Sequence, residues 1–319
     1  MDITTVAVVG TGVIGRSWAQ VFARAGCATR LFDRDPAQLA AALAWLAEDL
    51  TLDVAAGLFD VDEAATRQAR MVACGTLAEA LADAQYVQES GPEQLPVKQA
   101  IYAELDRLSA PDAILASSTS ALDMGAIAAG LAGAWRCVVA HPVNPPHVVP
   151  VVEVVPGALT DLAVVMATCA FQQAIGQTPV RLGQHVDGFL LNRLRAALLR
   201  EALNLVERGV ADVAAIDAVV RDGLGLRWAL LGPFGVANTN ADGGARDYFT
   251  RYGAAYIAMM DDLGPTPSFS PAQIEQIGAQ TDAMSGVDFA GQRRWRDEMV
   301  RQLCALKAAH PVPDAGSSG

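Results

Sequence analysis

The feature that most limits how this chain can fold is a glycine-rich turn close to its start. An apolar run, Val6 to Val9, leads directly into the turn Gly10-Thr11-Gly12-Val13-Ile14-Gly15. Apolar residues then recur at the spacing of one helix face as far as Ala25. A strand, a G-x-G-x-x-G turn and an amphipathic helix in this order are typical of dinucleotide-binding folds. The free N–H groups at the start of such a helix favour a pyrophosphate.

An acidic residue stands where folds of this kind bind the ribose of the cofactor. Asp33 follows a second strand-like run, Thr29 to Phe32, and lies 18 positions after Gly15. Its carboxylate would accept hydrogen bonds from the ribose hydroxyls and repel a 2′-phosphate, which favours NAD over NADP. The neighbouring Arg34 leaves NADP open as an alternative, and a glycine turn without any ligand is another.

Strand-like and helix-like patterns alternate along the first part of the chain. This alternation predicts an α/β fold, a Rossmann-type, doubly wound and mostly parallel sheet over residues 1–186. Two helical patterns after the second strand predict a helical insertion at about 36–70.

The alternation stops after the linker-like stretch 185–188, and only helical patterns follow. They predict an all-helical domain over residues 187–319. Its first helix, 189–207, is expected to bury one apolar face, formed by Leu191, Leu194, Leu198 and Leu205.

Polar residues follow several of the predicted strands at the point where each strand ends. They are Glu93, the run Ser117 to Ser120, His141 and Asn144. Ligands of doubly wound sheets bind beyond the carboxyl ends of the strands, so these residues are expected to converge on one site. Ser120 could instead only cap a helix.

The segment 138–155 carries the residues best suited to acid–base chemistry. His141 ends one β-like run, and Glu153 lies inside the next, among valines. A carboxylate is costly to bury without a partner, and an imidazole is a suitable one. We therefore predict a His–Glu pair whose histidine exchanges a proton with substrate. The alternative is a surface histidine and an edge-strand glutamate that are unrelated.

Composition excludes several classes of function. The formal net charge of −12 argues against a nucleic-acid partner. The five cysteines are scattered without a C-x-x-C pair, which indicates a reducing compartment and no zinc site. A strand-like start and the lack of a long apolar run predict no signal peptide and no membrane span. We expect a cytoplasmic protein that needs no metal.

Four motifs in one order make the chain similar to the L-3-hydroxyacyl-CoA dehydrogenase superfamily. They are GTGVIG with Asp33, ASSTSAL (116–122), HPVNPP (141–146) with Glu153 twelve positions after His141, and DGFLLNRL (187–194). Within that superfamily, the stretches GRSWAQVFA, AHPVNPPHVVPVVEVVP, GLGLRWALLGP and RRWRDE resemble the branch of L-gulonate 3-dehydrogenases, or lambda-crystallins.

The resemblance implies a role for individual residues. His141 would be the catalytic base with Glu153 as its partner, and Ser120 and Asn192 would hydrogen-bond the substrate oxygen or position the cofactor. The second domain would bind substrate and form a homodimer. The residues implied for the NAD site are Gly10, Gly12, Val13, Ile14, Gly15, Asp33, Glu93, Lys98 and Asn144. From the residues alone, Asn192 could be a helix cap and Lys98 a solvated lysine.

Charge favours a small substrate. The stretch 36–66 contains six acidic residues and neither Lys nor Arg, so it should repel the phosphates of coenzyme A. A free acid needs one cation, for which Arg227 is the candidate; it could instead pair at an interface. We therefore expect oxidation of a small L-3-hydroxy acid. The alternatives are a 3-hydroxyacyl-CoA dehydrogenase, a carnitine 3-dehydrogenase and, in a different class, a non-catalytic structural protein.

The assignment of Asp33 is tested by the choice of cofactor. The wild-type protein should prefer NAD over NADP by at least roughly tenfold, or about 1.4 kcal/mol. Asp33→Ser should narrow that gap, because it removes the repulsion of a 2′-phosphate. Titrations with NADH and NADPH measure both affinities, and a wild-type preference for NADPH would contradict the assignment.

Overall fold

A computed structural model of the chain describes residues 3–286 and 288–312. Its residues divide into two compact units, unit 1 over residues 1–191 and unit 2 over residues 192–319. The units divide after residue 191, whereas we expected the domain boundary after residue 186. The end of the expected second domain, 313–319, lies outside the described residues.

The described part of unit 1 contains one sheet of eight strands, which confirms the predicted Rossmann-type fold. The strands are β1 (Thr5–Val9), β2 (Ala28–Phe32), β3 (Met71–Ala73), β4 (Tyr86–Glu89), β5 (Ile114–Ser117), β6 (Cys137–Pro142), β7 (Val151–Pro156) and β8 (Thr178–Arg181). Their order across the sheet is β3-β2-β1-β4-β5-β6-β7-β8. Neighbours are parallel except β6 and β7, which run antiparallel.

Helices cover both faces of this sheet. In the described part of unit 1 they are α1 (Val13–Arg24), α2 (Pro36–Ala55), α3 (Val61–Ala69), α4 (Leu77–Leu81), α5 (Leu95–Leu108), α6 (Met124–Ile127) and α7 (Leu162–Ala174), with a 3₁₀ turn at Ala134–Arg136. The helices α2 and α3 form the insertion expected at 36–70. The short α6 and the 3₁₀ turn have no counterpart among the sequence predictions, because each is too short to show helical periodicity.

Strand β1 shows why both faces need cover. Val6 and Val8 enter one apolar core, while Ala7 and Val9 enter the other. Successive side chains of a strand point to opposite faces, and a strand that is apolar at every position belongs at the centre of a sheet covered on both sides. The position of β1 between β2 and β4 is the result.

The described part of unit 2 is helical, as predicted. It comprises α8, which begins at the unit boundary (Leu191–Glu207), α9 (Val213–Ala218), a π-helix (Val219–Leu224), α10 (Gly225–Trp228), α11 (Pro233–Thr239), α12 (Gly244–Asp262), α13 (Pro271–Ser285) and α14 (Phe289–Ala309). Helix α9 continues directly into the π-helix, and the π-helix continues into α10. None of the described helices is both long and apolar enough to cross a bilayer.

The expected burial of helix α8 is wrong for half of its predicted face. Leu194 is 68% exposed and Leu198 is 37% exposed, while Leu191 and Leu205 are partly buried. The periodicity identified an apolar face correctly, but the described residues of the chain leave much of it uncovered. Periodicity shows that a face is apolar and does not show what covers it.

Gly15 in α1 allows the helix to pack onto the glycine turn. A Cβ atom at this position would overlap the carbonyl oxygen of Gly10 and lie 3.3 Å from Cγ1 of Val8. Gly15→Ala should therefore lower the free energy of unfolding by roughly 3 kcal/mol. The measurement is urea unfolding of the protein without cofactor.

Gly12 provides the matched control for this substitution. Its φ angle is −61°, and a Cβ atom there meets nothing within 4 Å. Gly12→Ala should leave the free energy of unfolding within about 0.5 kcal/mol of wild type, although the added methyl group would face a bound pyrophosphate. Equal stability of the two variants would show that the turn can adjust to a side chain at Gly15.

Candidate active site

The antiparallel pairing of β6 with β7 places His141 directly opposite Glu153. His141 Nδ1 lies 2.8 Å from Glu153 Oε2. Both residues are buried, with His141 7% exposed and Glu153 2% exposed. The chain reverses between Pro142 and Val151, and this reversal contains a cis bond between Asn144 and Pro145.

The second oxygen of Glu153 binds the backbone at the start of α8. Oε1 accepts the N–H of Leu190 at 2.7 Å and that of Leu191 at 3.0 Å. Burial by itself would raise the pKa of Glu153, but the hydrogen bonds from His141, Leu191 and Leu190 outweigh it and lower that pKa below its ordinary value. Glu153 is therefore an ionised carboxylate at neutral pH.

An ionised Glu153 decides which nitrogen of His141 carries the proton. A carboxylate can only accept hydrogen bonds, so Nδ1 must be the donor. In the neutral imidazole Nε2 then holds the lone pair, and no described residue hydrogen-bonds it. The ring also contacts Phe189, with 5.4 Å between ring centroids. The arrangement presents a histidine that is fixed in orientation and tautomer and able to accept a proton.

Glu93 organises the residues that follow β5. Its Oε1 accepts hydrogen bonds from the hydroxyl of Thr119 at 2.7 Å, from the N–H of Ser120 at 2.8 Å and from the N–H of Ala121 at 3.2 Å. The hydroxyl of Ser120 lies 3.3 Å from the same oxygen. Burial opposes ionisation, but the bonds from Thr119 and Ser120 and the charge of Lys98 lower the pKa of Glu93.

Lys98 is buried rather than solvated, since its side chain is 1% exposed. Its ammonium lies 2.8 Å and 2.9 Å from the two oxygens of Glu89, a residue with no exposed surface. The hydroxyl of Ser117 donates to the same carboxylate at 2.6 Å. The sequence analysis missed Glu89 and Ser117 as partners, although a glutamate that ends an apolar strand near one of only two lysines was a usable signal.

A cavity of about 660 Å³ lies at the carboxyl ends of β1 and β2. Asp33 lines it, and its Oδ2 accepts the N–H of Thr11 at 2.7 Å, which holds the carboxylate beside the glycine turn. The adjacent Arg34 points to Glu104, 3.6 Å away, with three quarters of its side chain exposed. The predicted residues that line the cavity are Gly10, Gly12 and Asp33.

Three other residues predicted for the NAD site, Val13, Ile14 and Gly15, begin α1, whereas Asn144 lies in the chain reversal between β6 and β7. Gly15 is buried behind the glycine turn, while Val13 is 54% exposed. Gly12 caps α1 without any side-chain hydrogen bond, so the first N–H groups of this helix stay available to an anion. The open space beside Gly12 and the free helix end fit the pyrophosphate of a dinucleotide.

Two predicted residues belong to unit 2. Asn192 lies in the first turn of α8, and its side-chain oxygen accepts a hydrogen bond from Arg195 at 2.7 Å. Arg227 lies exposed on α10 and lines an apolar cavity of about 970 Å³ formed within unit 2. No described residue forms an ion pair with Arg227. No group of three or more described His, Cys, Asp or Glu side chains could hold a metal ion.

Two family models together match most of the chain. Residues 5–186 match the family model "3-hydroxyacyl-CoA dehydrogenase, NAD binding domain", and residues 188–276 match "3-hydroxyacyl-CoA dehydrogenase, C-terminal domain". The chain is 41% identical to the lambda-crystallin homolog of Bos taurus, over 97% of this chain and 96% of that protein. It is 40% identical to the L-carnitine dehydrogenase of Streptomyces griseus, over 98% and 92%.

A solved structure shows the same fold over nearly the whole chain. The NAD⁺-dependent 5-formyl-3-hydroxy-2-methylpyridine 4-carboxylic acid 5-dehydrogenase superposes with a TM-score of 0.79 at 28% identity, covering 97% of this chain and 98% of that one. The eight-stranded sheet, the NAD-binding unit and the helical unit that follows it are thus shared features. The chain belongs to the 3-hydroxyacyl-CoA dehydrogenase family, a family of NAD-dependent oxidoreductases that act on 3-hydroxyacyl-CoA and related hydroxy acids.

Proposed function

We propose that this enzyme oxidises the 3-hydroxyl group of a small, free L-3-hydroxy acid, similar to L-gulonate, to the 3-oxo acid. The observation that carries the proposal is the hydrogen-bonded pair of His141 and Glu153 at 2.8 Å. It leaves a neutral Nε2 as the base that alcohol oxidation requires. The identity to lambda-crystallins supports the same branch of the family.

The mechanism assigns each proton to a residue of this chain. His141 Nε2 takes the hydroxyl proton, and the ionised Glu153 stabilises the imidazolium that results. The acceptor for the hydride from C3 of the substrate would be supplied by a bound NAD. The hydroxyl of Ser120 turns from its long contact with Glu93 and donates to the alkoxide oxygen that develops. Asn192 is proposed as a further substrate-binding residue.

We propose that NAD binds at the residues around the glycine turn. Gly10, Gly12, Val13 and Ile14 approach the pyrophosphate, and Asp33 binds the adenosine ribose. Glu93 and Asn144 line the nicotinamide end, and Gly15 keeps α1 close to the turn. Lys98 belongs to the same proposed site, with its ammonium 3.7 Å from Glu93.

The charge around α2 and α3 favours a free acid over a coenzyme A thioester. Glu48, Asp60 and Asp62 are exposed, and neither helix offers a cation before Arg67. The acidic surface is smaller than the six acids suggest, because Asp53 is buried and Asp49 accepts a hydrogen bond from Gln20. The acidic residues that remain exposed still repel the phosphates of coenzyme A.

Two alternative substrates follow from the name of the family and from the name of a relative. The alternative 3-hydroxyacyl-CoA substrate, such as 3-hydroxybutyryl-CoA, is the one for which the family is named. L-Carnitine is the substrate named for a relative with 40% identity, and it is also a free 3-hydroxy acid. Both contain the same 3-hydroxyl group, so the chemistry at His141 would not differ.

Exposed apolar surface in unit 2 supports a homodimer. Leu194, Leu226, Phe234 and Trp295 are each at least 64% exposed in the described chain. Large apolar side chains that are exposed in this way are typical of a surface that binds another protein. We propose a second copy as that partner and a cytoplasmic location, which the scattered free cysteines favour.

The role of His141 is tested by removing its basic nitrogen. His141→Gln should lower turnover by roughly 10² to 10⁴ and leave the affinity for NADH nearly unchanged, because the ring does not bind the cofactor in this scheme. Steady-state kinetics and NADH fluorescence measure the two quantities.

His310→Gln is the control, because His310 is an exposed histidine at the end of α14. It should behave as wild type in both assays. Equal loss of turnover and of NADH affinity in His141→Gln would assign that histidine a structural role.

Substrate class is tested with L-gulonate, L-carnitine, 3-hydroxybutyrate and 3-hydroxybutyryl-CoA. The free acids should give the higher kcat/KM. Arg227→Ala should raise KM for the free acid by roughly tenfold, the loss of about 1.4 kcal/mol, while sparing NADH binding. Arg221→Ala is the matched control, because Arg221 is an exposed neighbour already paired with Asp222. A better thioester substrate, or a silent Arg227→Ala, would favour the coenzyme A enzyme.

A further inference from the structure

The chain just before α8 contains a residue with an unusual backbone. Phe189 has a φ angle of +51°, and it follows Gly188 at +76°. Residues with a side chain rarely adopt this left-handed region, because the Cβ atom then crowds a carbonyl oxygen. The two other described non-glycine residues with positive φ, Asp83 and Phe269, are exposed, whereas Phe189 is fully buried. A strained residue of this kind persists only where its surroundings hold it.

The bend at Phe189 directs two backbone N–H groups to Glu153. The N–H of Phe189 donates to the carbonyl oxygen of Val186 at 2.9 Å, which closes a turn. The next two N–H groups, those of Leu190 and Leu191, then meet Oε1 of Glu153 at 2.7 Å and 3.0 Å. The turn therefore supplies two of the hydrogen bonds that compensate the buried carboxylate.

The ring of Phe189 contacts two imidazoles. It lies against His141, with 5.4 Å between ring centroids and an angle of 56° between the rings. Its contact with His185 is edge-on, at 5.8 Å and 89°. His185 is itself held by Asp187, whose Oδ1 lies 3.1 Å from Nε2. A rigid ring packed in this position limits how far the imidazole of His141 can turn away from Glu153.

We propose that Phe189 is a positioning residue for His141. Its ring holds the imidazole against Glu153, and its backbone brings the N–H groups of Leu190 and Leu191 to the same carboxylate. This inference deepens the proposed function and rests on it for the role of His141 as the base. The strained backbone is tolerated because one buried residue orders both members of the His–Glu pair.

The role of the ring is tested with Phe189→Leu, which keeps an apolar side chain and removes the planar ring. The variant should lower kcat roughly 10- to 100-fold, because a small displacement of a catalytic group has an effect of this size. Its affinity for NADH should stay close to that of wild type. Nitrogen-15 NMR of the histidine rings should show His141 only as the Nδ1–H tautomer in wild type and as a mixture of tautomers in Phe189→Leu. The variant His141→Gln assigns the signal.

Phe171→Leu is the matched control, because Phe171 is a buried phenylalanine of α7 that packs on Phe22 and Tyr86. Both leucine variants should lower the Tm by a few degrees, since each leaves a cavity. Phe171→Leu should leave kcat and the tautomer of His141 unchanged. If Phe189→Leu behaves like this control in both readouts, Phe189 is only a core residue and the proposal is wrong.

The role of the backbone is tested with Gly188→Ala, which adds a side chain at a φ angle of +76°. Its kcat should fall as in Phe189→Leu, because the two N–H groups no longer meet Glu153. Gly183→Ala is the control, since the φ angle of Gly183 lies outside the left-handed region and a Cβ atom there meets nothing within 4 Å. Equal turnover of the two glycine variants would contradict this part of the proposal.

Two further measurements keep the proposal separate from folding and from substrate choice. If Phe189→Leu does not fold, Phe189→Met gives the same readouts, because a flexible methionine can fill the same space. The tautomer of His141 and the affinity for NADH need no substrate, so they test the proposal even if no 3-hydroxy acid is oxidised. Wild-type turnover in His141→Gln would overturn the proposed function, while the tautomer would still report whether Phe189 orders the ring.

Discussion

The structure of unit 1 depends on compensating two buried carboxylates, that of Glu153 within β7 and that of Glu89 at the end of β4. A carboxylate withdrawn from water costs several kcal/mol unless charge and hydrogen bonds replace its hydration. Glu153 is compensated by His141 and by two N–H groups at the start of α8. Glu89 is compensated by Lys98, with hydrogen bonds from Ser117 and Gly91. The first set of bonds fixes the imidazole of His141, and the second fixes Gly91, which lines the 660 Å³ cavity. The interactions that make burial of the carboxylates tolerable therefore also order the site.

The two carboxylates serve chemistry in different ways. Glu153 touches the imidazole that we propose as the base, and its ionised state fixes the tautomer of that ring. Glu89 accepts hydrogen bonds from the N–H of Gly91 and from the hydroxyl of Ser117 at the end of β5. The reaction needs a base, an oxyanion donor and a bound cofactor in one arrangement. Buried hydrogen bonds join the ends of the strands and hold these groups in that arrangement.

The distribution of charge in the chain supports a free acid as the proposed substrate. The chain is strongly acidic, and the insertion α2–α3 adds exposed carboxylates without a cation before Arg67. Against this background Arg227 is notable, because no described residue neutralises it. A free carboxylate can accept two parallel hydrogen bonds from one guanidinium. The phosphates of coenzyme A would need several cations.

The sequence by itself determined the Rossmann-type sheet, the helical second half and the glycine turn with Asp33. These follow from local periodicity and from short motifs in which neighbours in sequence are neighbours in space. His141 and Glu153 were also paired from the sequence, since a buried acid twelve positions from a histidine had few other partners. Only the tertiary structure decided that Lys98 is buried against Glu89 and that Leu194 and Leu198 are exposed. Burial depends on which elements pack against a side chain, and the pattern along one strand or helix does not contain that information.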